Sequence, residues 1–182
     1  MKINKIQIKF FLILVLGYFI FSYFIIFWIG LCAKGGIYWA FADEHLNFIK
    51  VYRHFLIGGA GLICDTFGLT YLTNDTAIRI IGYGGIKIVY SCLGYGIISI
   101  IISLALAVPN QKIKLRILFL IIGTVAFSLL NMIRLFVVSY YAHLAKRLSI
   151  DHHLIFNAFC YLLILIGMYW WIRKAESSKL KA

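Results

Sequence analysis

Residues 88–111 read IVYSCLGYGIISIIISLALAVPNQ, a stretch without a single Asp, Glu, Lys or Arg. A run this long and this apolar is close to the roughly 17–25 residues that a membrane-spanning helix needs. Three further runs share the pattern: 10–33, 154–172, and 117–133, the last continuing past a single Arg134. The whole chain is 63% hydrophobic and 13% charged, whereas soluble domains run about 45–50% apolar and about 25% charged. That excludes an ordinary soluble domain, and a disordered chain would have far less to bury. The expected class is an all-α polytopic membrane protein with about four transmembrane helices.

The net charge of +12 does not form a nucleic-acid patch. The basic residues sit at the ends of the apolar runs: Lys2, Lys5 and Lys9; Lys112, Lys114 and Arg116; Arg173, Lys174, Lys179 and Lys181. Such clusters stay cytoplasmic during insertion. The first run is too long for a cleavable signal and has no small-x-small site after it, and bulky Leu31 before Cys32 spoils a lipoprotein box. With all three clusters inside, the expected spans are 10–31, 92–108, 117–141 and 154–172, with 1–9 and 173–182 cytoplasmic. Segment 55–67 is apolar but short, Gly-rich and carries Asp65. Parity denies it a single crossing, so it is expected to be interfacial or re-entrant. Residues 77–91 alternate apolar and polar around Gly82-Tyr83-Gly84-Gly85, which predicts a small extracytoplasmic β-hairpin. The connection at Pro109 is tight, no repeat is present, and 1–182 reads as one integral membrane domain.

On this map all five histidines and most acidic residues fall outside, so chemistry is expected at the outer face of the cytoplasmic membrane. Arg134 lies in an otherwise apolar helix, where a mid-membrane arginine costs at least about 2.5–3.5 kcal/mol. It stands roughly 27 Å along the helix from Arg116 at about 1.5 Å per residue, near the outer interface. A snorkelling arginine is the plain alternative. Asn131, three residues earlier on the same face, favours an inward polar pair. Of the four cysteines, Cys92 is set apart by its expected place in the first helical turn after the hairpin, where a helix N-terminus favours a thiolate. Cys32 and Cys160 read as packing and Cys64 stays open. Asp151-His152-His153 opens the last helix, and a histidine beside a thiol and an arginine suits an activated cysteine nucleophile. The histidine spacing does not fit a metal site, so no metal and no cofactor are expected.

Cys92-Leu93-Gly94, Asn131-Met132-Ile133-Arg134 and His153 with Phe156-Asn157, in that order, resemble the exosortase/archaeosortase family of membrane cysteine transpeptidases. The resemblance covers roughly residues 55–172, with Leu93 standing where a small residue is usual. Many members have more helices, so this chain would be a compact version. The resemblance implies catalytic Cys92, Arg134 and His153, with His152 as the alternative base, and Asn131 orienting Arg134 or the substrate. It also implies a prokaryotic inner-membrane location. The partners implied are membrane lipid and exported proteins ending in a motif, a transmembrane helix and a basic tail, with no nucleic acid. Two other classes compete: a four-helix thiol oxidoreductase and a non-catalytic assembly or transport subunit.

Overall fold

A computed structural model of the chain describes residues 5–109, 111–142, 157–167 and 169. They are mostly helical: α1 (Lys5–Cys32), α2 (Ala40–His45), α3 (Phe48–Thr66), β1 (Tyr71–Asn74), β2 (Ala77–Ile80), β3 (Gly84–Lys87), a 3₁₀ turn (Tyr90–Leu93), α4 (Tyr95–Ala107) and α5 (Ile113–Tyr140). Three stretches are long and apolar enough to cross a membrane: Gln7–Cys32, Tyr90–Ala107 and Ile113–Tyr140. Of the expected fourth span, Asn157–Gly167 is a shorter apolar helix; the rest, Tyr169 apart, lies outside the described residues. Only 6% of the first apolar window and 11% of the third is buried inside the protein, against 50% of the second. Two helices with such apolar and uncovered windows suit lipid as their solvent, because each helix satisfies its own backbone polar groups.

The chain divides into two compact units. The first takes Met1–Phe24, Tyr95–Val125 and Phe156–Ala182. Its centre is α4, which buries Ile97, Ser99, Ile101, Ser103, Leu104, Ala105 and Ala107. Gly17 lets α1 approach closely, since a Cβ there would lie 2.9 Å from Ser103 Oγ. That hydroxyl is turned back to donate to the Ser99 carbonyl at 2.6 Å. The last carbonyls of α4 have no intrahelical partner, and Arg116 supplies one. Its guanidinium donates to Ala105 O at 3.1 Å, Leu106 O at 2.6 Å and Val108 O at 2.9 Å. The arginine that the charge pattern marks only as a topological signal is therefore also the C-terminal cap of α4.

The second unit takes Ile25–Gly94 and Ala126–Ile155. Its core joins Leu56, Ile57, Ala60 and Cys64 of α3 to Ile78 and Ile80 of β2, Ile88, Cys92 and Leu93, and Met132 and Leu135 of α5. The sheet is an antiparallel meander, β1-β2-β3, with Ile78 opposite Ile86 and Ile80 opposite Gly84. Ile78 and Ile80 face the core while Arg79 faces out, the period of two on which the hairpin expectation rests. Gly82, at φ +84°, makes the turn.

The structure corrects the sequence reading in three places. The expected hairpin has a third strand, β1, whose residues are mostly exposed and so show no apolar alternation. The segment expected at 55–67 begins earlier, at Phe48, because Asn47 caps α3 by accepting from the Lys50 N–H at 2.8 Å. Cys92 is not in the first turn of an α-helix. It lies in the 3₁₀ turn, its N–H donating to Val89 O at 2.9 Å, and α4 starts only at Tyr95 because Gly94 adopts φ +68°.

Candidate functional site

The 3₁₀ turn and α5 meet in the second unit, and the residues singled out by the sequence lie where they meet. Gly94 ends the turn in the left-handed region, where a side chain costs roughly 1–2 kcal/mol. The Phe127 ring fills the space that a Cβ on Gly94 would need. One turn further along α5, Asn131 is fully buried. Its amide donates to the Cys92 carbonyl at 3.0 Å, and its carbonyl oxygen accepts from Arg134 Nη1 at 3.3 Å. Asn131 thus ties the backbone of Cys92 to the guanidinium of Arg134. Cys92 is 1% and Arg134 6% exposed, so this is an interior polar link and not a snorkelling arginine reaching for water.

The link has a simple chemical basis. An amide has both a donor and an acceptor, so one buried asparagine can serve a carbonyl on one side and a cation on the other. Arg134 follows at i+3, on the same helical face. His153 and its alternative His152 lie outside the described residues, as does His143. The link therefore holds two of the three proposed catalytic positions together with the orienting asparagine.

The other cysteines, Cys32, Cys64 and Cys160, are buried like Cys92. Burial, and then the neighbouring Asp65 carboxylate, push the Cys64 thiol up. Among the described residues no group of three or more His, Cys, Asp or Glu side chains is placed to hold a metal ion.

A second polar feature of this unit is a cavity of about 480 Å³ bordered by Asp43, Glu44, His45, Asn47, Lys50 and His54. Asp43 is already engaged, accepting from Asn47 at 2.7 Å and Tyr38 at 3.2 Å. Asp75 pairs with Lys50 at 3.7 Å and with His54 at 3.3 Å. These are exposed ion pairs of small energetic weight.

Two site neighbours escape sequence reading. Tyr52 Oη and Ser128 Oγ share a hydrogen bond at 3.1 Å, and the Arg53 guanidinium stands 4.8 Å over the Tyr90 ring. Neither belongs to a motif, and only their position ahead of an apolar stretch hints that they face inward. No family model, no curated protein and no solved structure matches the chain.

Proposed function

We propose that the chain is a membrane-embedded cysteine transpeptidase or peptidase of the exosortase/archaeosortase kind, acting on the C-terminal sorting signals of exported proteins. The observation that carries the reading is the buried Asn131, which bridges Cys92 and Arg134. Asn131 holds the main-chain carbonyl of Cys92 and the Arg134 guanidinium at one buried point, so it fixes where residue 92 stands beside the arginine. In the scheme, His153 takes the Cys92 thiol proton as the sulfur attacks the scissile carbonyl carbon. Arg134 stabilises the oxyanion by charge-assisted donation, strongest where water is scarce. The C–N bond breaks as His153 gives its proton to the leaving amine, leaving a thioester. An incoming amine or water then attacks that thioester and restores the thiol.

The accompanying topology has four spans, with 1–9 and 173–182 cytoplasmic and the sheet outside. Reporter fusions at Asn110 and Lys179 should score cytoplasmic and one at Asn74 external; an internal Asn74 would put Cys92 on the wrong side.

The decisive test is processing of a tailed reporter in cells. Cys92→Ala should abolish it while the protein still accumulates. Arg134→Lys keeps the charge but loses the planar fork, and should be nearly as damaging. Full processing by Cys92→Ala would end the enzymatic reading. A second reading, a non-catalytic membrane assembly subunit, draws on the 1% exposure of Cys92, since a nucleophile must open to its substrate. It predicts that Cys92→Ala is silent.

A further inference from the structure

Two adjacent residues of α3 reach the two elements that Asn131 cross-links. Tyr52 bonds Ser128, three residues before Asn131 on α5. Arg53 lies over Tyr90, two residues before Cys92 in the 3₁₀ turn. The two contacts differ in kind. The first is an ordinary hydroxyl pair. The second holds an arginine by its planar face: its Nε is buried and makes no hydrogen bond among the described residues. Asp75, between β1 and β2, is paired with Lys50 and His54, the two basic side chains on either side of Arg53. What Arg53 grips is the ring of Tyr90, and the turn that ring begins is only four residues long. So short a turn has little of its own to hold it, and the buried face of Cys92 depends on its neighbours.

We infer that Arg53 is a positioning residue of the Cys92 site, acting through Tyr90, with Tyr52 steadying α5 on the other side. Arg53 clamps the 3₁₀ turn against α3 and so sets where the Cys92 thiol sits relative to Asn131 and Arg134. The inference rests on the proposed reading of Cys92 as the nucleophile, but the clamp itself can be measured without substrate.

The measurement is alkylation of the full chain in membranes by N-ethylmaleimide, with the rate at each cysteine read by peptide mass spectrometry. Cys64 is the internal control, because it is buried on the same helix as Arg53. Arg53→Gln should speed labelling of Cys92 about 3- to 30-fold, the range of a cation–π contact, and leave Cys64 unchanged. Tyr90→Leu should do the same, and the double variant no more than either alone, since both remove one contact. Tyr90→Phe keeps the ring face and should restore protection. The inference is overturned if Cys92 labelling does not change in Arg53→Gln, if Cys64 accelerates equally, or if the two effects add. Failure of the underlying reading looks different: Cys92→Ala would then keep processing while the labelling pattern stood.

Discussion

Asn131→Leu replaces an amide by an apolar side chain of similar size at a position with no solvent exposure. Two hydrogen bonds go: a neutral one to the Cys92 carbonyl at 3.0 Å and one from the Arg134 guanidinium at 3.3 Å. A neutral bond contributes a net of about 0.5–1.5 kcal/mol and one to a charged group about 1.5–3 kcal/mol. The second is long, so its lower end applies. Desolvation of the abandoned Cys92 carbonyl acts in the same direction and overlaps with these figures. The expected loss is therefore about 2–3 kcal/mol. Asn131→Asp separates the two halves. It strengthens the acceptor facing Arg134 but sets a carboxylate oxygen against the Cys92 carbonyl, so it should also destabilise and should move the turn. Unfolding in mixed micelles, followed through the four tryptophans, measures both. A loss below about 0.5 kcal/mol for Asn131→Leu would mean that the link contributes nothing net, at the bottom of the range for such bonds. The case for a built site at Cys92 would fall with it.

Gly94→Ala should cost about 2 kcal/mol or more, from the left-handed backbone and from the Phe127 ring in the way; Phe127→Leu should recover only the steric share in the same unfolding assay. Arg116→Gln removes the cap over two α4 carbonyls and that of Val108 just beyond and should lower stability by about 1–3 kcal/mol, with Arg116→Lys intermediate; equal stability of all three would refute the capping role. Tyr71 donates to Asp65 at 3.3 Å, and loss of solvent followed by that carboxylate push its hydroxyl up. The folded state then holds the proton more tightly. This contribution is whole below the unfolded value near pH 10 and is lost as the pH climbs through the raised folded value. Tyrosinate absorbance, with Tyr71→Phe as the blank, should show the midpoint falling in Asp65→Asn.

What the sequence discloses follows from which forces act locally. The apolar runs and the β2–β3 turn are legible because periodicity and charge are properties of neighbours along the chain. Asn131 and Arg134 are legible because a polar pair in a helix otherwise made of apolar residues is an anomaly. The position of Cys92 is only half legible: its neighbourhood is right, but the helix expected to begin at 92 begins three residues later, since the role of Gly94 depends on Phe127, far away in sequence. Strand β1 is hidden because it exists through pairing with β2 and not through an alternation of its own. Arg53 is hidden in the same way, inside a polar stretch whose exposed members, Lys50 and His54, disguise the one that faces Tyr90.

The faces of α5 carry a consequence for descent. Gly94 leaves its space to Phe127, and Gly59 leaves its space to Met132. Each pair is a slot and a tooth, and neither partner can change size alone. In a lineage of this protein, a side chain gained at position 59 or 94 should be accompanied by one shortened at 132 or 127. Because Asn131 stands between the two teeth, the residues that fix how α5 seats and the residue that bridges Cys92 to Arg134 would be inherited together, as one block of coupled substitutions.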